Sequence, residues 1–320
     1  MYVFSIDEWE DDPEFPVHPV GSQPKRVVIA PSHCGTMGLL PGHTYIFKTA
    51  KSVWQRHQLW SEVIAYRVAD MVGVDAPRCF PALMRSTGEA GVLMESFLPN
   101  SSDAQLTRFV HGADFLARVI VDKKRGRPHL LKLNLWLSRK IGVDPSAVEN
   151  WWTRVIFFDA LIGNSDRHPQ NWGFLFKVKP GILSAVHSLL EGSTSAMMGP
   201  AFDNGTSLGY ETREVDLETK GTDAALDHYI AGGHHHCSWD TPTTKRGEGH
   251  LELCRKIIDA DIRQKDVLRN MLNFSQGDVE KILDECVDCD LPFLPFTPER
   301  AKFVSKLLMR RQMALLDLVK

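Results

Sequence analysis

The hydrophobic period of this sequence changes at Pro99-Asn100-Ser101-Ser102, and that change limits the architectures open to the chain. Ahead of the break lie short strand-like runs. Val27–Ala30 and Thr44–Lys48 flank a loop of small residues, Pro31-Ser32-His33-Cys34-Gly35-Thr36-Met37-Gly38, as a hairpin with a mobile tip, and Gly91–Ser96 is a further strand. Between them, Trp60, Ile64, Val68 and Met71 recur at helical spacing, with Gly73 as the stop. Behind the break helices dominate. Glu149–Ile162 carries Trp152, Val155, Ile156, Phe158 and Ile162 on one apolar face and ends at Gly163. Ser275 with Asp278 has the form of a capping box, and Thr297-Pro298 opens a long final helix. The expectation is an α+β chain of two lobes, a small strand-rich amino-terminal lobe over 24–98 and a mostly helical carboxy-terminal lobe over 99–320. Residues 1–23, rich in acid and proline, read as a flexible arm, and Gly181–Gly199 as a loop insertion.

With 43% hydrophobic and 24% charged residues over 320 positions, the chain has enough apolar material for a sizeable core. Its formal net charge of −3 argues against a dedicated nucleic-acid binder, so no direct DNA binding is expected. The first ten residues are acidic where a secretory signal would be basic, and no run approaches the ~18 apolar residues of a membrane span. A cytoplasmic protein without a membrane partner is expected. Six cysteines spread over this length do not suggest a disulfide framework.

The chemistry concentrates in Asn164-Ser165-Asp166-Arg167-His168-Pro169-Gln170-Asn171, directly after the helix stop at Gly163. Phosphoryl transfer asks a protein for a carboxylate to orient the attacking hydroxyl, oxygen ligands for magnesium, and cations on the phosphates. Asp166 and Asn171 stand five apart, the separation of base and metal-binding Asn in a kinase catalytic loop. Asp203, in Phe202-Asp203-Asn204-Gly205, follows a strand-like Trp172–Phe176 and joins Asn171 as a metal ligand. In the front part, Lys48 ends a strand and Glu62 lies on the next helix, a pair suited to aiming an ammonium at phosphates. Ser32, Gly35 and Thr36 belong to the candidate phosphate loop, although it lacks the full kinase glycine pattern and a Walker lysine. Met94, Glu95 and Phe97, just before the break, form a candidate hinge for an adenine edge. His168 is a candidate proton carrier or a brace of its loop.

Asp-Arg-His-x-x-Asn followed by an Asp in Phe-Asp-Asn-Gly resembles the HipA-like kinases, a family related in fold to the phosphatidylinositol 3- and 4-kinases, over roughly residues 27–320. The resemblance implies a bilobal protein-kinase-like fold that uses ATP and Mg²⁺. It assigns Asp166 as catalytic base, Asn171 and Asp203 to the metal, Lys48 to the phosphates, and Glu95 and Phe97 to the adenine hinge. A protein Ser/Thr substrate, a toxin-type role and an antitoxin-like partner are implied with it. Toxin-type members carry an additional amino-terminal subdomain for which the residues before Val27 leave no room. Phe202-Asp203-Asn204-Gly205 also departs from the usual segment around the metal Asp. A kinase of small molecules or lipid headgroups, and a nucleotide-binding module without activity, remain alternatives.

Three further features stand outside that scheme. His234-His235-His236-Cys237, with Cys286 and Cys289, invites a zinc reading, but adjacent histidines point apart and the pair spacing is incomplete. A polar loop beside the catalytic residues is the plainer account. Asp122-Lys123-Lys124-Arg125-Gly126-Arg127 reads as a solvated basic loop or a dock for an acidic substrate. Ser32 and Thr36 are candidate autophosphorylation positions, where an added charge of about −2 would repel nucleotide phosphates.

Overall fold

A computed structural model describes residues 1–13, 25–50, 52–99, 106–123, 125–178, 194–241 and 246–320. The chain divides into two compact units. The first comprises Met1–Ser96, Asn204–Ile230 and Met271–Met313, and the second Phe97–Asp203, Ala231–Asn270 and Ala314–Lys320. The stretch 99–320 is shared between the two units.

Six strands form the sheet of the first unit: β1 (Phe4–Ser5), β2 (Glu10–Asp11), β3 (Lys25–Ile29), β4 (Thr44–Thr49), β5 (Cys79–Met84) and β6 (Glu89–Glu95), in the order β1-β5-β6-β4-β3-β2. Branched and aromatic side chains suit these half-buried pleats, and Val28, Tyr45, Phe47 and Leu93 pack into one core cluster. The opening residues correct the expected arm. β1 runs parallel to β5, with Phe4 opposite Ala82, and β2 pairs with β3. Phe4, Ile6 and Trp9 are buried in the same cluster, so the apolar side chains among the acids anchor this segment. The rest of the expected arm, 14–23, lies outside the described residues.

Helix α1 (Gln58–Val72) buries Leu59, Trp60, Val63, Ile64 and Val68. Gly73 ends it in the left-handed region at φ 71°, returning its N–H to the carbonyls of Ala69 and Asp70. Trp60 Nε1 donates to the Leu294 carbonyl at 2.9 Å, tying α1 to a late segment of the same unit. The capping box at Ser275 and Asp278 is present, and the final helix begins at Pro298.

In the second unit, β7 (Leu106–His111), β8 (Gly173–Val178) and β9 (Thr194–Met198) form an antiparallel sheet in that order. β9 occupies the end of the segment expected to be a loop insertion; 181–193 lie outside the described residues. Helix α2 (Gly112–Leu116) follows β7, and α3 (Leu131–Lys140) precedes α4 (Pro145–Ile162). The Asp144 carboxylate caps α4 by accepting from the N–H groups of Ser146 and Ala147, and Pro145 fits the first turn. Gly163, at φ 73°, stops it. Among the described residues, no helix is long and apolar enough to cross a membrane.

Candidate active site

The antiparallel sheet of the second unit brings two distant parts of the sequence to one end. Gly173, at the start of β8, lies opposite His111 at the end of β7, and Phe174 lies opposite Met198 at the end of β9. Residues just before β8 and just after β9 therefore emerge together, and these are Asn171 and the segment leading to Asp203. Gly173 permits the close approach: a Cβ there would lie 2.3 Å from the Val110 carbonyl oxygen.

Arg167 fixes this arrangement. Its guanidinium forms a two-pronged pair with Asp159 of α4, Nε to Oδ2 at 3.0 Å and Nη2 to Oδ1 at 2.8 Å, with both side chains fully buried. The remaining nitrogen, Nη1, donates to the Asn171 carbonyl at 3.2 Å and the Phe202 carbonyl at 2.5 Å. One nitrogen thus gathers the backbone of one metal-ligand candidate and of the residue before the other. Burial alone would raise the Asp159 pKa, but Arg167 and the hydrogen bond from His235 outweigh it and hold Asp159 at about 2. His235 Nδ1 accepts from the Cys237 N–H, so its hydrogen sits on Nε2, 3.0 Å from Asp159 Oδ2.

The loop closes on itself around Asp166. Asn164 Oδ1 accepts from the Asp166 N–H, and Asn171 Nδ2 donates to the Asp166 carbonyl at 2.8 Å. That bond uses the amide nitrogen of Asn171 and orients its Oδ1 as an acceptor for a hard cation. Partial burial first, and the charge of Asp203 second, push the Asp166 carboxyl up to about 7, while Arg167 pulls the other way. Asp203 itself sits at φ 59°, a left-handed conformation that Asp tolerates better than most residues. An amide oxygen and a carboxylate, with few protein ligands, fit Mg²⁺, which keeps waters and binds through substrate phosphates.

His168 braces the loop in this geometry. Its Nδ1 accepts from the Gln170 N–H at 3.2 Å, which leaves the hydrogen on Nε2, 3.9 Å from Asp166 Oδ1. Burial lowers its pKa. A neutral ring with this tautomer offers a donor toward Asp166 rather than a base.

The first unit holds the phosphate-binding candidates. Lys48, on β4 opposite Val92 of β6, places Nζ 3.2 Å from Oε1 of Glu62 on α1, with the two side chains 3% and 5% exposed. The other Glu62 oxygen accepts the N–H of Asn204 at 2.9 Å. Gly205 allows that approach, since a Cβ there would lie 3.3 Å from Glu62 Cγ and 3.1 Å from the Gln58 carbonyl oxygen. Glu62 therefore holds both the lysine and the residue that follows Asp203.

The loop expected to cradle phosphates is a 3-10 turn over Ser32–Met37, closed by Gly38 at φ 87°. The N–H groups of Cys34, Gly38 and Leu39 bond to the carbonyls of Pro31, Gly35 and Cys34. Ser32, Gly35 and Thr36 are exposed, and Thr36 Oγ1 donates to the His33 carbonyl. Met94 and Glu95 end β6, and the Glu95 carboxylate accepts from Tyr45 and Arg78. Phe97 opens the second unit and stacks edge-on to Phe109 beside Phe202.

His234–Cys237 resolves into structural roles: His235 serves Asp159, His236 pairs with His129, and Cys237 is buried with its thiol pKa raised. No group of three His, Cys, Asp or Glu side chains suited to a metal occurs among the described residues. Asp159 and His235 are the positioning residues that the sequence reading missed. A carboxylate within the apolar run Val155–Ile162, eight residues before an Arg, was the available signal.

A family description, the HipA-like C-terminal domain, matches residues 18–260. The chain belongs to that family. Its fold is similar to that of the Helicobacter pylori proinflammatory kinase CtkA, with a TM-score of 0.73 at 16% identity over 99% of this chain and 96% of that one. The HipA of Shewanella oneidensis MR-1, solved with HipB and its operator DNA, is similar at a TM-score of 0.48 and 14% identity, over 99% of this chain and 67% of that one. No curated protein matches the sequence. The α+β, kinase-like fold expected from the sequence is the one observed, and family membership supports a kinase-like function.

Proposed function

We propose that this chain is a kinase that transfers the γ-phosphoryl group of ATP, with Mg²⁺, to a Ser or Thr hydroxyl of a protein. The observation that carries the reading is Arg167, whose single Nη1 holds the backbones of Asn171 and Phe202 beside an Asp166 carboxyl whose pKa is raised. Asn171 Oδ1 and the Asp203 carboxylate would hold Mg²⁺, which supplies charge neutralisation at the phosphates. Asp166 accepts the proton of the attacking hydroxyl, and a pKa near 7 suits a base that must be ionised yet basic near neutrality. His168 Nε2–H lies on the Asp166 side of the loop, 3.9 Å from Oδ1. Lys48, pointed by Glu62 at 3.2 Å, supplies a cation for phosphate oxygens.

Incubation with labelled ATP and Mg²⁺, alone and with cell extract, tests the reading against Asp166→Asn and Asp203→Asn. Label on protein with the wild type and none with either variant is the expected outcome. Label confined to lipid or metabolite fractions selects a small-molecule or headgroup kinase, and nucleotide binding without transfer selects an inactive module. Equal labelling by wild type and both variants refutes the site. The exposed hydroxyls of Ser32 and Thr36 are the positions at which autophosphorylation would act, and phosphopeptide mapping that finds both unmodified removes that extension. A toxin role with an antitoxin-like partner rests on family membership alone; its test is growth arrest on expression, absent with Asp166→Asn.

A further inference from the structure

The basic segment Asp122–Arg127 is part of the second unit and is fastened to the catalytic loop. Asp122 and Arg127 exchange backbone hydrogen bonds at 2.9 and 3.1 Å, and the Arg125 N–H donates to Asp122 Oδ1. Gly126, at φ 60°, brings this turn against the catalytic loop, for a Cβ there would lie 3.0 Å from Pro169 Cδ. The Arg125 carbonyl accepts from His236 Nε2 at 2.9 Å, and Arg127 Nη1 donates to the His236 carbonyl at 2.9 Å.

The orientation of His236 is itself locked. Its Nε2 must donate to a carbonyl, so in the neutral ring Nδ1 accepts, here from His129 Nδ1 at 3.0 Å. His129 Nε2 must then accept, and it does so from Asn134 Nδ2 and from Trp172 Nε1, which is only a donor. Both ends of the chain demand the same tautomers. Burial lowers the pKa of both rings, which keeps them neutral. The His236 ring packs edge-on against His168 at 5.9 Å between centroids, so the basic turn stands one imidazole from the residue beside Asp166.

Such anchoring serves side chains that face outward. Arg125 is 60% exposed and only loosely paired with Asp122 at 3.8 Å; Lys123 is exposed too. The sequence places four cations against one carboxylate here, in a chain whose net charge is −3. Val121 is 87% exposed at the edge of the turn, with Val119 and Phe115 part-exposed nearby in sequence. Apolar side chains beside cations suit a peptide better than a phosphate backbone, and the acidic chain as a whole would repel a long polyanion.

We propose that Val121, Lys123 and Arg125 form the docking site for the acceptor protein, taking an acidic segment on Lys123 and Arg125 and an apolar side chain on Val121. The assignment rests on the kinase reading above for the word acceptor, though not for the binding itself. Phosphate transfer from ATP to dephosphorylated casein, an acidic acceptor, is compared with transfer to myelin basic protein, for wild type, Lys123→Glu/Arg125→Glu and a control reversal, Arg255→Glu. The double reversal is expected to raise the KM for casein about tenfold, with kcat and acceptor-free ADP release unchanged and the control like wild type. A casein KM within about twofold of wild type, or an equal loss for both acceptors, overturns the proposal.

If the wild type transfers phosphate to no acceptor, the kinase reading fails separately, and fluorescence anisotropy decides the dock. A fluorescein-labelled peptide of alternating Glu, Ser and Leu that binds wild type and not the double reversal sustains it. No binding, or equal binding by both proteins, overturns it, as does single-stranded RNA that displaces the peptide at lower concentration and depends on the same two residues.

Discussion

Replacing Arg167 with Met keeps most of the side-chain volume and removes the charge from a site with no solvent. Asp159 would keep Asn164 Nδ2 and His235 Nε2 as partners. Breaking a buried ion pair from one side costs about 3–5 kcal/mol, and the Asn171 and Phe202 carbonyls each lose a donor worth about 1 kcal/mol or more. Set against a total stability of about 5–15 kcal/mol, the variant is expected to lose about 5 kcal/mol, the sum of those terms at their lower ends. Urea unfolding near neutral pH, followed by far-ultraviolet circular dichroism, measures it. Asp159→Asn/Arg167→Met, which removes the stranded charge, should recover about 2 kcal/mol of that loss. The pH dependence carries a second, signed expectation. In the wild type Asp159 titrates at about 2, below the ordinary 3.8, so it adds stability above pH ~4 that is lost as the pH falls toward 2. Without Arg167, the main pull against burial is gone and that pKa rises, so the stability that ionisation adds above pH ~4 shrinks. The gap between wild type and Arg167→Met must therefore narrow on acidification. A loss under about 1 kcal/mol, a gap independent of pH, or a double variant no better than the single one refutes the role given to the pair.

Asp203→Asn removes one of the two influences that raise Asp166, so the Asp166 pKa is expected to drop from about 7 while burial keeps it above 3.8, as read by carboxyl-carbon NMR titration. Glu62→Gln keeps an acceptor for the Asn204 N–H but loses the ion pair, which predicts a KM for ATP raised about tenfold with the fold intact. Glu62→Ala should in addition lose about 1 kcal/mol or more of stability, because it also removes the acceptor of the buried Asn204 N–H; equal behaviour of the two variants would contradict this. Gly91→Ala places a Cβ 2.3 Å from Phe47 Cε2 and 2.6 Å from the Lys48 carbonyl oxygen, and should destabilise the first unit by about 2 kcal/mol on thermal unfolding.

The residues of the catalytic loop were legible because their chemistry is local: Asp166 and Asn171 are fixed by a five-residue spacing and one turn. Lys48 and Glu62 were legible as a strand end followed by a helix, since β4 and α1 follow their own periodicities. What holds those residues was not. Arg167 reaches Asp159 across 8 residues and Phe202 across 35, and His235 reaches Asp159 across 76, and no local pattern encodes such a meeting. The first thirteen residues misled for a related reason. Their acids dominate the composition, yet Phe4, Ile6 and Trp9 enter the core through pairing with β5, a strand about eighty residues later that the sequence reading also missed.

The imidazoles around the catalytic loop invert a common habit of assignment. His129, His168 and His236 are all held below the ordinary histidine range by burial, and the group near neutrality is a carboxyl, Asp166. An inflection near pH 7 in a rate profile of this protein would conventionally be credited to histidine. Carboxyl ionisation carries almost no enthalpy and imidazole ionisation a large one, so the inflection here should stay in place on warming. Chemical modifiers of histidine would then abolish activity by dismantling the scaffold rather than by titrating a catalyst, and reagents selective for carboxyl groups would follow the profile itself.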